Sequence, residues 1–265
     1  MHLKRFVVAA VLLPLFYLYV MYLPSVYFFF LLVIISLLAM AEFYSMYHVT
    51  GILKYACLLS GVSILGVSYI SADFLSDAVM ISVMTILVIR LLARRNPLSS
   101  LYDISPPVIG LFYVAGFCAF QTRIRKLGPE WIIFLYACVW MSDSLAYYLG
   151  TLIGKRKLYA EVSPNKTVAG AVGSLIGGVM AALLLRAVMI PSLALSYAVL
   201  IGIIIGTVSI VGDLVESMFK RDARVKDSGV MIPGHGGILD KIDGVLFAGP
   251  MLYWILLFFG IEKIP

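Results

Sequence analysis

From Leu193 to Val211 the chain runs without a single charged side chain, and stretches like this one recur along its whole length. A helix needs roughly 20 mostly apolar residues to cross the hydrocarbon of a bilayer. Nine segments qualify: about Phe6–Leu23, Ser25–Tyr44, Tyr55–Ile70, Ala78–Leu92, Pro107–Phe120, Trp131–Gly150, Val168–Ile190, Leu193–Val211 and Val245–Gly260. In lipid every backbone polar group must be satisfied within the segment, which selects the helix. The expected fold is therefore all-α: a polytopic helical membrane protein of about nine transmembrane helices with its N-terminus cytosolic. Composition excludes the soluble alternative. With 62% hydrophobic and 13% charged residues among 265, a soluble domain of this size could not hide its apolar surface.

Lys4 and Arg5 precede the first apolar run as in a signal peptide, but no small-residue cleavage site follows, so an uncleaved first span is expected. Leu23-Pro24-Ser25 forces a tight hairpin between the first two spans, and Asn96-Pro97 and Pro106-Pro107 read as breakers around a basic loop. Several of the apolar runs are short for a bilayer, which would have to thin around them.

Orientation follows from lysine and arginine. With the N-terminus inside, Lys4, Arg5, Lys54, Arg90, Arg94, Arg95, Lys155, Arg156, Lys157, Lys166, Lys220, Arg221, Arg224, Lys226 and Lys241 fall in the cytosol. Arg123, Arg125, Lys126, Arg186 and Lys263 fall outside, and the loop Gln121–Glu130 is the misfit: a re-entrant turn, or a span count wrong by one. The expected localisation is a multi-pass protein of the cell inner membrane with its active site facing the cytosol. The formal charge of +6 lies in these short loops, so topology and phosphate chemistry explain it and no nucleic acid partner is expected. Cys57, Cys118 and Cys138 sit in apolar stretches without ligand spacing and read as packing. Gly170, Gly173, Gly177 and Gly178 recur at helical spacing and predict close helix packing, compatible with a homodimer.

Two regions emerge. Residues 1–120 form an N-terminal transmembrane region of about five spans without a catalytic motif. Residues 121–265 form a catalytic transmembrane region with cytosolic loops 151–167 and 212–244. The second loop breaks the pattern of the rest, with Asp213, Glu216, Lys220, Arg221, Asp222, Arg224, Lys226, Asp227, His235, Asp240, Lys241 and Asp243 among interleaved glycines. Asp213 and Glu216 are three apart, as are Asp240 and Asp243, so on helices each pair shares a face. Asp213 should close the eighth span and Asp240 open the ninth, bringing four carboxylates together at the membrane surface. Such acids repel unless a cation holds them, and all-oxygen ligands suit Mg²⁺ or Mn²⁺. Between the pairs, Pro233-Gly234-His235-Gly236-Gly237 offers backbone amides, and Lys220, Arg221 and Lys226 offer charge for phosphate oxygens. Metal-binding acids beside phosphate-binding bases imply phosphoryl or nucleotidyl transfer.

Upstream, Asp143 stands inside an apolar span in Trp140-Met141-Ser142-Asp143-Ser144, where a carboxylate is costly and by default functional, its plainer role being a hydrogen bond to a neighbouring helix. Lys155, Arg156 and Lys157 lead into Ser163-Pro164-Asn165-Lys166-Thr167 on the same side as the acids.

Ser217-Met218-Phe219-Lys220-Arg221, Lys226-Asp227-Ser228-Gly229, Pro233-Gly234-His235-Gly236-Gly237 and Asp240-Lys241-Ile242-Asp243 together resemble the signature of phosphatidate cytidylyltransferases, the CDP-diacylglycerol synthases. The likeness extends to Trp140–Gly150 and Ser163–Thr167. Two positions depart from the family's usual pattern: Lys241 stands where arginine is usual, losing a bidentate fork, and Ala169 where glutamate is usual. The resemblance implies that CTP and phosphatidic acid in the bilayer become CDP-diacylglycerol and pyrophosphate, with Mg²⁺ and room for a second cation. It further implies that Asp213, Asp240 and Asp243 hold metal, with Glu216, Asp227 and Asp143 as ligands or close behind them. Lys166, Lys220, Arg221 and Lys226 would hold phosphates, near His235, Gly236 and Gly237. The alternatives are a CTP-dependent transferase for another lipid phosphate, an ion-coupled transporter using Asp143 as a relay, and a non-catalytic scaffold. Transport would spread acids over several spans with internal repeats, which this chain does not do.

Overall fold

The computed structural model describes residues 2–71, 73–94, 96–229, 231 and 236–261, with residues 2–11 as backbone only. Among these are nine helices: α1 (His2–Tyr22), α2 (Ser25–Met46), α3 (Gly51–Ile70), α4 (Leu75–Ala93), α5 (Ser100–Leu127), α6 (Pro129–Ile153), α7 (Val168–Val188), α8 (Leu195–Asp222) and α9 (Leu239–Phe258). Eight of them, α2 to α9, are long and apolar enough to cross a membrane, and α1 adds the shorter apolar stretch Leu12–Tyr22. The chain is a polytopic all-α membrane protein. Its small exception is an antiparallel hairpin, β1 (Lys157–Tyr159) and β2 (Ser163–Thr167), paired Lys157 with Thr167 and Tyr159 with Ser163.

The helices outrun the hydropathy. The segment expected at Pro107–Phe120 is the 28-residue α5, which passes through Pro106 and Pro107 instead of being broken by them. A proline removes a donor and crowds the carbonyl four residues back. Just downstream, Leu111–Gly116 widens into a π turn. The Pro107 carbonyl also accepts the Tyr44 hydroxyl at 3.1 Å. Asn96-Pro97 does lie in the connection, with the Asn96 side chain accepting from Leu98 N at 2.9 Å.

The α8 helix was expected to end at Asp213 and continues to Asp222. Leu214, Val215, Met218 and Phe219 keep helical spacing there, and Glu216 pairs with Lys220 at i,i+4. Helix α9 starts at Leu239, so Asp240 opens it as expected, six residues ahead of the apolar run from Val245, and lies in its first turn at the positive end of the helix dipole. The connection at the site is therefore residues 223–238, shorter than a loop from 212 to 244.

The misfit Gln121–Glu130 is not a re-entrant turn. It divides between the end of α5 and the start of α6, and its basic residues are engaged. Arg125 Nη2 donates to Val20 O and Leu23 O, both at 3.0 Å, capping the carbonyl end of α1. The Arg123 guanidinium lies 5.5 and 5.4 Å from the Phe120 and Tyr253 rings. Arg186 Nε caps Leu193 O at 2.7 Å. These cations serve the face opposite the acids.

Two apolar cores hold the bundle. One gathers α6, α7 and α8 around Trp131, Phe134, Leu135, Ala182, Ile201 and Ile205; the other gathers α2, α3 and α5 around Met40, Phe43, Ile64 and Leu111. Helix α9 contributes to both, with Leu252 in the first and Leu246 in the second. Cys57, Cys118 and Cys138 are buried in these cores. The glycine stripe does pack closely: a Cβ on Gly173 or Gly177 would lie 2.5 Å from Leu145 O or Met141 O of α6. By contrast α4 leaves Met80, Ile81, Met84, Leu91 and Leu92 exposed, a surface suited to lipid.

Candidate active site

The site is built where α8 crosses α9. Gly212 faces the backbone of Asp243 and Gly244; a Cβ there would lie 2.5 Å from Asp243 O. Gly244 in turn faces Ser209, whose Oγ would be 2.7 Å from an added Cβ. Because Asp213 follows one glycine and Asp243 precedes the other, the close crossing brings the two carboxylates together. Glu216, one turn along α8, joins them. Ligand oxygens of Asp213, Glu216 and Asp243 all lie within 4.8 Å of one another.

A ladder of ion pairs supports this group. Lys220 Nζ lies 2.5 Å from Glu216 Oε2 and 2.6 Å from Asp240 Oδ1. The other oxygen of Asp240 accepts from Gly237 N at 2.7 Å, Ser228 N at 3.1 Å and Ser228 Oγ at 2.9 Å. Gly236, at φ +83°, is in the left-handed region that favours glycine, and a Cβ on it would also press 2.5 Å from Asp240 Oδ2. Ser217 Oγ donates to Asp213 Oδ1 at 3.3 Å, and Lys166 pairs with Asp213 Oδ2. Thr167, next to Lys166, caps α7 by accepting from Gly170 N at 3.1 Å, which fixes where the β-hairpin delivers the lysine.

These groups open on a cavity of about 780 Å³, within the range of small-molecule sites. Trp140, Tyr147, Leu158 and Ile210 give it an apolar wall; Asp143, Lys166, Asp213, Asp240, Lys241 and Asp243 give it a charged one. Five carboxylates, Asp143, Asp213, Glu216, Asp240 and Asp243, face two directly paired lysines, Lys166 and Lys220. Negative charge is in surplus. Glu216, only 1% exposed, keeps its Oε1 buried without a hydrogen-bond partner among the described residues. A dry carboxylate oxygen without a donor is expensive, and beside two further carboxylates it suits a hard cation.

The expected site residues divide as follows. Asp213, Glu216 and Asp243 form the three-carboxylate group; Asp240 stands beside it, turned to Lys220 and the backbone of the connection. Asp143 lines the cavity and accepts from Ser209 Oγ at 3.0 Å. Lys166 and Lys241 line the cavity, whereas Lys220 is spent between two acids. Arg221 donates to Val162 O at 3.4 Å and Val225 O at 3.2 Å, tying the hairpin turn to the end of α8. Lys226 and Asp227 are exposed in the connection, outside the cavity lining. Gly237 is buried against Glu42 and Asp240; His235, with Pro233 and Gly234, lies outside the described residues.

Glu42 escaped the reading of the sequence. It sits in α2, 7% exposed, and accepts from Ile238 N at 3.0 Å and Leu239 N at 2.9 Å. The signal that drew attention to Asp143, a lone carboxylate in an apolar run, applies equally to Glu42.

A family model described as the cytidylyltransferase family matches residues 3–259. The chain belongs to that family. It is similar to a phosphatidate cytidylyltransferase from Bacillus subtilis, 35% identical over 198 residues that cover 73% of each chain. A protein of the same name from Staphylococcus saprophyticus is 40% identical over 158 residues, 60% of this chain and 61% of that one. Another, from Synechocystis, is 36% identical over 192 residues, 60% of this chain and 64% of its own. The match thus spans a little under two thirds of the latter two relatives. In a cytidylyltransferase, a charged cavity with an apolar wall at the ends of membrane helices is where a nucleotide and a lipid phosphate can meet.

Proposed function

We infer that this chain transfers the cytidylyl group of CTP to phosphatidic acid, forming CDP-diacylglycerol and pyrophosphate for phospholipid synthesis. The observation that carries the reading is the convergence of Asp213, Glu216 and Asp243 beside a cavity that Asp213 and Asp243 line together with Lys166 and Lys241. The family match and the relatives' names support the same reaction. A phosphate oxygen of the lipid attacks the α-phosphorus of CTP, and the bond to the bridging oxygen breaks to release pyrophosphate. Both reactants are polyanions, so the protein's task is to position them and neutralise charge.

Asp213, Glu216 and Asp243 would hold Mg²⁺, which when bound supplies positive charge to the triphosphate. The donor set is all oxygen, and the unpartnered Glu216 oxygen fits it. Asp143 and Asp240 flank this group and would take a second cation or hold its water. Lys166, released from Asp213, and Lys241 line the cavity where phosphates would lie. The apolar wall at Trp140, Tyr147 and Ile210 would receive the glycerol backbone and upper acyl carbons of the lipid.

We place the site on the cytosolic side of the inner membrane, since most lysines and arginines lie in connections on the site's face. The test is turnover by purified protein in detergent with CTP, Mg²⁺ and phosphatidic acid, product lipid being identified by mass. CDP-diacylglycerol should form and disappear with EDTA. A CDP-lipid only from polyprenyl or ether-lipid phosphates would move the substrate assignment, and none from any lipid phosphate would refute transfer.

A further inference from the structure

One buried carboxylate at the site belongs to neither α8 nor α9. Glu42 comes from the N-terminal half, and both its oxygens are committed to the segment that carries Asp240. Oε1 accepts from Ile238 N at 3.0 Å; Oε2 accepts from Leu239 N at 2.9 Å and lies 3.2 Å from Ser228 Oγ. Glycines let the chain wrap this closely. A Cβ on Gly229 would lie 2.6 Å from Oε1, and one on Gly237 would collide with Oε2. Among the described residues no lysine or arginine pairs with Glu42.

A carboxylate buried without a cation is costly unless donors surround it. The opening turn of α9 supplies them, since its first N–H groups have no partner within the helix and its dipole is positive there. Space filling alone would be served by an apolar side chain, as at the neighbouring Ala39, Met40 and Phe43. Glu42 instead fixes Leu239, the residue before Asp240 and one turn before Asp243. It also faces Ser228 Oγ, which lies 2.9 Å from Asp240 Oδ2 on its other side. From Asp240 the contacts run on through Lys220 to Glu216.

We propose that Glu42 is a positioning residue for cytidylyl transfer: it clamps the start of α9 and the connection at Ser228, so that Asp240, Lys220, Glu216 and Asp243 are held in the arrangement that binds the cation. The proposal rests on the function inferred above, so its test includes a readout independent of turnover.

The variants are E42Q, which keeps one acceptor oxygen, E42A, and E42D, which is one methylene short of the α9 amides. Each is purified as the full chain and assayed for melting temperature, kcat, KM for phosphatidic acid, and Mn²⁺ affinity without nucleotide. Groups that orient metal ligands typically change affinity or activity about 10- to 100-fold. E42Q should lose about tenfold in kcat and E42A about a hundredfold, with E42D failing to restore activity. KM for phosphatidic acid should stay within about twofold while Mn²⁺ affinity falls about tenfold. Lowered melting with unchanged kcat per folded protein and unchanged Mn²⁺ affinity would overturn the proposal, leaving Glu42 a purely structural residue.

Should E42A not fold, E42Q and S228A decide it. Both should weaken Mn²⁺ binding, and their effects should not add, because they act on one contact; additive effects or none would overturn it. If the wild-type protein transfers no cytidylyl group, the functional reading fails by itself. The Mn²⁺ comparison then still judges Glu42, weaker binding supporting the clamp and equal binding refuting it.

Discussion

The two halves of the molecule each hold a cluster of charges, and the clusters are opposites. In the N-terminal half Arg90 and Arg94 share one acid, Asp103, each at 2.8 Å. The remaining Arg90 donors reach Arg94 O at 2.7 Å and Asn96 O at 3.1 Å, so the guanidinium is satisfied from within. In the C-terminal half Lys220 stands between two acids, Glu216 and Asp240, with Asp213 and Asp243 alongside and one Glu216 oxygen without a partner among the described residues. The first cluster is complete, and ties α4 to α5. The second, among the described residues, is short of positive charge, as the proposed cation site requires. Closure distinguishes structural charge from functional charge better than burial does.

If the contrast is right, removing an acid should hurt the second cluster most. Asp243→Asn and Asp213→Asn, which keep shape and lose charge, should each lower kcat about 100- to 1000-fold while the protein stays folded. Initial rates of CDP-lipid formation would show it, and near-wild-type rates would move the metal away from these residues. Lys220→Met should come next. It leaves Glu216 and Asp240 buried together without their cation, a loss of about 3 to 5 kcal/mol in stability, readable as a large drop in thermal midpoint. If Lys220 were chiefly a phosphate ligand, the midpoint would hold and KM for CTP would rise instead.

On the opposite face Arg125→Ala removes a charged cap from the α1 carbonyls and should cost about 1.5 to 3 kcal/mol with kcat of the folded protein unchanged. A loss of turnover at constant stability would mean that the two faces are coupled. Smallest of all, Arg94→Ala breaks only the outer pair of the closed cluster, where Arg94 is 63% exposed, and should shift stability by less than about 1 kcal/mol. A larger shift would show that this cluster is less self-sufficient than its hydrogen bonds indicate.

The comparison also separates what could be read from residues from what could not. Asp213 with Glu216, and Asp240 with Asp243, were legible as two pairs because a spacing of three aligns each pair on one helix face; that Asp243 joins the first pair while Asp240 turns to Lys220 was not. Lys220 was assigned to phosphate since its charge was visible and its partners were not: the pairing with Asp240 crosses from α8 to α9. Pro106 and Pro107 looked like breakers because a proline's local cost is plain in sequence, whereas their burial inside α5 depends on packing. Arg123 and Arg125 looked misplaced for topology because the α1 carbonyls and the Tyr253 ring that engage them lie far along the chain.

By itself the sequence determined the solvent and the polytopic all-α fold. Those follow from local quantities: the length of apolar runs, the absence of charge within them and the period of the helix. Only the tertiary structure decided that Glu42 of α2 accepts from the start of α9, that Asp240 faces Lys220, and that Glu216 keeps an oxygen free among the described residues. Each is a contact between distant segments, set by how closely glycines let helices cross and by which buried polar groups find partners.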